Sequence, residues 1–441
     1  MLGNSFSILY SALLSDFKAM DIRNRNISNA NNPSYVKEEP ILETLVGVGG
    51  VKVSDIRRIS DEILQAQLLE AKSGYSAFDE LNKLVEALSP YFEETSGVSL
   101  QDYINNFFQS LHDFLREPTN RAAKLNLLTK ADLLAKILES RYSLLDQIEG
   151  EILKKIPDVI NGINKITESL AKLNKEIAFE YARTYGNSKD YKYLLDQRDK
   201  FLSELSQYVN INYKFDSIGR VEVSVVENDS TAAGFIQLVS FEGNNYTFSF
   251  VKDRGNPANS LVVDQNGTMW RLSFFQSGRL GAYSQAIKFY EGLKEKLNAL
   301  ATNLADVNNL YLSLTGTTKA IFRGTSAGDI AVNITAGDLN QYDVTRAQND
   351  AQSADSAWQK AKEDLQTLQA SYANGKTEVR IKFETERDLY DYLHTQYTQK
   401  VGVNLDEELA EVMKLQRHYQ AVSKMIATSS RLLDYLLNSL G

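Results

Sequence analysis

From Ala258 to Gly441 the chain contains no proline, and the run from Val403, VNLDEELAEVMKLQRHYQAVSKMIATSSRLLDYLLNSLG, has no glycine before its last residue. A stretch without either breaker defaults to helix. Asn404 stands at an N-cap position, with Glu407 at the capping-box spacing behind it. Asp406, Glu407 and Glu408 place negative charge at the positive end of the helix dipole, and Lys414, Arg417, Lys424 and Arg431 follow later. Leu409, Val412, Gln416, Tyr419, Ser423, Ile426, Ser430, Leu433, Leu437 and Leu440 alternate steps of three and four, the spacing of a heptad seam. A second row, Leu415, Val422, Ser429 and Leu436, repeats every seventh residue beside it. Such a helix is roughly 50 Å long. It carries more apolar surface than one partner helix covers. Two readings follow: a core helix of a bundle, or an end kept for other subunits.

The opposite terminus has the same character. Leu2, Phe6, Leu9, Leu13, Phe17 and Met20 share one face at helical spacing, and Ser7, Ser11 and Lys18 lie opposite. The first 25 or so residues therefore read as an amphipathic helix. Their polar residues interleave with the apolar ones, and no basic leader or A-x-A pattern accompanies them, so a cleavable secretory signal is not expected. Asn24, Asn26, Asn29, Asn31 and Asn32 then crowd ahead of Pro33, which predicts an ordered turn in place of further helix. Residues 36–53 alternate partly and contain Gly47, Gly49 and Gly50, the pattern of a short hairpin.

Between the ends the period changes twice. Helical patches cover 63–70, 78–88, 100–116, 122–156, 157–183 and 191–208, with breaks expected at Pro90, Pro118, Pro157 and Gly186. Alternation with period two takes over at Val209–Phe215 and Val221–Val225, then at 235–241, 246–251, 261–263 and 269–275, with turn residues between. Helix returns over 283–314, a glycine- and threonine-rich patch follows, and 345 onward reads as helix again. The fold class is thus mainly α with a β-rich insertion. The expected parts are an N-terminal helix and motif loop at 1–56, a helical bundle domain at 57–208, and a small antiparallel β domain at 209–281. A returning helical domain at 282–402 includes a β/loop patch at 316–340, and a C-terminal helix occupies 403–441. Both terminal helices need a partner, so either the two helical blocks pair and leave the β part as a side domain, or three independent domains stand in a row.

Charge and chemistry narrow the function. A net charge of −9 argues against nucleic-acid binding and against adhesion to anionic membranes, and no apolar run approaches the ~20 residues of a membrane span. There is no cysteine, so disulfides, thiol catalysis and cysteine-based zinc sites are absent together. The histidines, His112, His394 and His418, form no metal-ligand spacing, and His418 reads as a surface or interface residue. No phosphate-binding glycine loop or nucleophile elbow occurs. Arg57–Arg58 and Lys154–Lys155 read as solvated basic pairs. No catalytic, cofactor or metal residues are assigned, although two carboxylates converging in the β domain stay open as a glycan-cleaving alternative.

The stretch from Asn26 through Ile27, Asn29, Asn31, Pro33 and Tyr35, NISNANNPSYV, resembles the N-terminal motif of bacterial flagellar axial proteins, usually N-I-A-N-x-N-T-P-G-Y. Asn32 replaces the usual threonine and Ser34 the usual glycine. If that glycine has φ > 0, Ser34 would adopt the turn at some cost. Val403–Glu408, Leu415–Ala421 and Leu433–Leu437 resemble the last helix of the hook-associated protein 1 family. So do Leu194–Asp199 ahead of the strands, the segment 100–118 with Phe107–Phe108, and Gly324–Asn333.

The resemblance implies a structural junction subunit between flagellar hook and filament, exported without a cleaved signal and working by binding, with no cofactor. Its terminal helices would pair as a coiled-coil-like inner domain, and its β domain would project outward. It implies four partners: hook protein, the next junction protein toward the filament, copies of itself in a ring or helix, and a cytoplasmic export chaperone on the C-terminal segment. Assembly residues would be Leu2, Phe6, Leu9, Leu13, Phe17 and Met20 with Leu409, Val412, Leu415, Tyr419, Val422, Ile426, Leu433, Leu436, Leu437 and Leu440. The seam would face the N-terminal helix, with Gln416, Ser423 and Ser430 holding register, and Leu415, Val422 and Leu436 would meet neighbouring subunits. The alternative within the superfamily is a distal rod or hook subunit.

Overall fold

The alternating stretches do become strands, but not one β domain. In the computed structural model β3 (Ile211–Phe215), β4 (Val221–Val225) and β5 (Ile236–Val239) form one antiparallel sheet, while β6 (Ser249–Val251), β7 (Leu261–Val263) and β8 (Met269–Arg271) form another. The two sheets fall in different compact units: residues 1–75, 162–247 and 386–441 make the first, and 76–161 with 248–385 the second. The linear division expected from the sequence gives way to this interleaved one, because the helices Glu62–Glu86, Arg121–Thr184 and Ala347–Val401 each continue from one unit into the other. The structure describes residues 2–32, 34–47, 49–93, 99–225, 236–253, 255–263, 269–305 and 310–440. The side chains of 2–4, 258, 263, 436–437 and 439–440 are outside the description. Pro33, Phe235, Arg254 and the turn at 264–267 also lie outside it.

In the first unit α1 (Leu2–Asn29) packs on one side against the hairpin of β1 (Glu38–Thr44) and β2 (Val51–Arg58). Its other side meets α10 (Leu405–Leu440). Two hydroxyls fasten the hairpin: Ser11 Oγ accepts from Val51 N at 3.1 Å, and Ser15 Oγ donates to Val51 O at 2.9 Å. Helix α1 runs further than predicted. Ser28 and Asn29 bond back to the carbonyls of Asn24 and Arg25, four residues earlier, so polar side chains that ordinarily favour turns are absorbed by the helix. The sheet β3–β4–β5 lies on α5 (Arg121–Thr184), where buried Asn174 donates to Val221 O and Ser240 O and accepts from Val221 N. Leu173 and Ile177 of α5 pack with Tyr191 and Leu195 of α6 (Lys189–Leu205). Helix α5 continues through Pro157, where a break was predicted. Leu153, Ile156, Val159 and Ile160 are all buried around it, and that packing outweighs one missing N–H donor.

The second unit holds the remainder of α2 (Glu62–Glu86), the short α3 (Ser89–Phe92) and α4 (Leu100–Arg116). Ser99 and Asp102 cap α4 reciprocally. That helix lays Phe107, Phe108 and Phe114 against Phe322, Trp358 and Tyr342, with ring centroids 5.1, 5.8 and 5.0 Å apart. Helix α7 (Gly278–Ala305) ends sooner than its periodicity suggested, since 311–314 form strand β9 (Tyr311–Leu314) paired with β10 (Thr317–Ala320). A further pair, β11 (Phe322–Arg323) and β12 (Ala331–Val332), leads to α8 (Ala336–Asn340) and α9 (Ala347–Val401). Asp350 of α9 accepts from Ser313 N, Ser313 Oγ and Tyr342 Oη at 2.8–2.9 Å, tying the hairpin down.

Candidate assembly core

The motif Asn26–Tyr35 and the opening of α10 meet in one polar knot. Asn26 is fully buried. Its amide nitrogen donates to Glu38 O and Glu408 Oε2, each at 2.9 Å. Its Oδ1 accepts from Tyr35 Oη at 2.8 Å and Glu38 N at 3.1 Å. Both donors and both lone pairs are thereby used, which a buried amide requires. Glu408 is equally inaccessible, and its other oxygen takes Arg23 Nη1 at 2.9 Å and Lys37 Nζ at 3.4 Å. Arg25 closes the far side on Glu38 and Asp21 at 2.7 and 2.6 Å. Burial, reinforced by Glu38, pushes the Tyr35 hydroxyl up, so it remains a donor. At Lys37 burial works against the charge, but the carboxylates of Glu407 and Glu408 outweigh it and raise its pKa.

Several expectations need correcting here. Asn404 does cap α10, accepting from Asp406 N at 3.1 Å, but Glu407 does not close a capping box and reaches Lys37 at 2.9 Å. Ser34 needs no left-handed backbone: among the described residues Tyr185 is the non-glycine with positive φ, and Ser34 N donates to Asn32 Oδ1 in a local turn. Arg57 is solvated as expected, yet Arg58 is buried, because neighbours on a strand face opposite ways. Its guanidinium binds Asp196 at 2.6 Å and Asp199 at 3.0 Å. Arg198 holds Asp199 from the other side, donates to Gly219 O at 2.6 Å and lies 3.6 Å over the Phe215 ring. This is where Leu194–Asp199 spends its charges. Burial raises the Asp196 carboxyl to about 6 despite Arg58, whereas Arg198 and Arg58 outweigh burial at Asp199 and hold it low.

The helix pair has its own register. The face of α10 turned to α1 carries Glu408, Val412, Leu415, Tyr419, Val422, Ile426, Ser429 and Leu433, of which Glu408 and Val422 are buried and the rest half-buried or nearly so. Leu415 and Val422, expected to meet neighbours, therefore belong to the intramolecular seam. Leu409, Gln416 and Ser430, expected within it, are exposed. The reason is steric: the seam pivots on buried Glu408, which turns Leu409 outward one residue later. His418 Nδ1 meets Asp16 Oδ2 at 2.7 Å beside the seam, with most of its side chain in solvent, within the surface-or-interface reading of the sequence. On α1, Phe6, Leu9, Leu13 and Met20 are half-buried, and Phe17 is 63% exposed. Ile27 and Asn29 are half-buried and Asn31 is exposed, while the side chains of Leu2, Leu436, Leu437 and Leu440 lie outside the described residues. Sequence reasoning missed Arg23, Arg25, Lys37, Glu38 and Arg58. A charge beside an apolar face is the only trace such residues leave.

Among the described residues no helix is long and apolar enough to cross a membrane, and no group of three acidic, histidine or cysteine side chains forms a metal site. Over residues 85–318, more than half the chain, the sequence matches the family described as "Flagellar hook-associated protein FlgK helical domain". Residues 394–440 match "Flagellar basal body rod FlgEFG protein C-terminal". The chain is 21% identical to flagellar hook-associated protein 1 of Bacillus subtilis, over 98% of this chain and 97% of that one. It is 27% identical to flagellar hook-associated protein 1 of Escherichia coli, over 49% of this chain and 40% of that one. A solved structure of the flagellar hook junction protein FlgK from Burkholderia pseudomallei aligns with a TM-score of 0.49 at 23% identity, covering 58% of this chain and 46% of that one.

Proposed function

The chain belongs to the flagellar hook-associated protein FlgK family, and from that premise we propose that α1 and α10 are the elements through which it joins hook to filament. The observation that carries this reading is the arrangement around Asn26 and Glu408. The knot ties the last turn of α1 to the first turn of α10. Beyond the seam, Tyr10, Leu14 and Phe17 of α1 and Leu409, Met413, Met425, Leu432 and Tyr435 of α10 face solvent. A helix pair that buries Asn26 and Glu408 against each other and still leaves large apolar side chains in solvent is built to be covered by further copies. Each large side chain fully buried there is worth about 1.5–3 kcal/mol. A handful per contact offsets the ordering cost of association.

In this reading the assembly residues are the exposed apolar ones, and the motif Asn26–Tyr35 fixes the angle at which they are presented. Hook protein lies on one side and the next junction protein toward the filament on the other. The export chaperone engages 403–441 before assembly, outside the cell the subunit packs with its own kind, and the work is binding rather than catalysis. The similarity of residues 394–440 to the C-terminal region of rod proteins supports the same packing mode. Removal of Val403–Gly441 tests the reading: cells carrying only that variant should make hooks without attached filaments. Normal filaments on such cells would refute it.

A further inference from the structure

The second unit contains a cavity of about 570 Å³, open to solvent on one side, that the assembly role does not use. Leu81, Phe275 and Leu293 form its buried floor, and Phe78, Phe289 and Val379 stand half-buried around it. Two glycines shape it in opposite ways. A Cβ at Gly375 of α9 would collide with the Phe289 ring, so that glycine seats the aromatic wall. A Cβ at Gly292 of α7 would meet no atom within 4 Å, so that glycine leaves a notch. Lys288 and Lys296 lie one turn before and one turn after the notch, on the same helix face. Among the described residues neither forms an ion pair. The other charges at the rim are Glu295 and the pair Lys382–Glu378 at 2.7 Å.

An apolar floor of this volume with a few polar groups at its edge has the dimensions and lining of a small-molecule site. Two unpaired ammonium groups around a notch select an anion, which gains charge-assisted hydrogen bonds from both. We propose that this cavity binds a small amphiphilic anion, its apolar tail against Phe78 and Phe289 and its acidic head at the Gly292 notch between Lys288 and Lys296. Four separate chain segments wall the space, which suits a compact ligand better than a partner helix lying along a groove.

Sodium dodecanoate below its micellar concentration is the probe, titrated calorimetrically into the full chain. One saturable site is expected, weakened at least tenfold in Lys288→Gln/Lys296→Gln. Gly292→Trp fills the notch and should abolish binding, with no cost to helix propensity. Unchanged far-UV circular dichroism of both variants would show that they fold. Dodecyltrimethylammonium, the same tail with a cationic head, should bind at least tenfold more weakly. No saturable binding, equal affinity for the two head groups, or full affinity in Gly292→Trp would each overturn the proposal. Binding only to phosphatidylglycerol vesicles and not to free dodecanoate would overturn it too, in favour of a membrane surface. All arms keep α1 and α10 intact, so the outcome is independent of the assembly reading.

Discussion

Asn26 and Glu408, 382 positions apart in sequence, share a hydrogen bond of 2.9 Å in which neither side chain reaches solvent. The bond joins the last turn of the first helix to the first turn of the last. It makes the two termini one structural element.

Asn26→Ala should therefore do more than remove a contact. It strands Glu408 Oε2, the Tyr35 hydroxyl and the Glu38 N–H and carbonyl together, a loss of about 2–4 kcal/mol. Both tryptophans, Trp270 and Trp358, lie in the second unit, so their fluorescence reports that unit. Amide exchange along α1 and α10 should accelerate while the tryptophan-detected transition stays put. A shift in the tryptophan transition with α1 still protected would contradict this account of the knot.

Arg58→Met should be comparably damaging, because it leaves Asp196 and Asp199 buried without their shared cation; about 3–5 kcal/mol is expected in urea unfolding followed by amide exchange of the first unit. A cost below 1 kcal/mol would show that the two carboxylates are satisfied without it.

The same cluster sets a pH dependence. Asp196 keeps its proton to about pH 6 when folded, against 3.8 ordinarily, so between those values the folded chain binds more protons than the unfolded one. Its contribution to stability is present in full below about pH 4 and declines as pH rises through 6. Carboxyl carbon chemical shifts should give a midpoint near 6 for Asp196, and Asp196→Asn should flatten the stability profile across that window. A midpoint near 4 would exclude the effect.

Gly324 has φ of 122°, and a Cβ there would lie 2.7 Å from Asp329 O. Asp329 in turn accepts from Thr325 N and Ser326 N at 3.0 and 2.7 Å, so the loop has little room to yield. Gly324→Ala should cost about 2–3 kcal/mol in the tryptophan-detected transition. Gly316, whose Cβ would meet nothing, gives a control in which the positive φ alone is penalised.

What the sequence determined by itself was local. Periodicity and the distribution of breakers were enough to place helices at both ends, a hairpin after the first, a strand pair within 209–225, and the cap at Asn404, because each depends on neighbours within a turn or a strand pair. The motif residues Asn26 and Tyr35 stood out as a pattern, with no indication of what they touch. Tertiary structure alone decided that Asn26 closes on Glu408, that Arg58 is buried while Arg57 is not, and that Leu415 and Val422 face inward with Leu409 outside. It also divided the strands between two units and carried α5 through Pro157. The physical reason is the same in each case. Burial of a polar group is tolerable only where a partner from a distant part of the chain arrives to meet it, and a helix tolerates a proline only where packing on both sides holds it. Neither condition is visible in the spacing of residues along one segment.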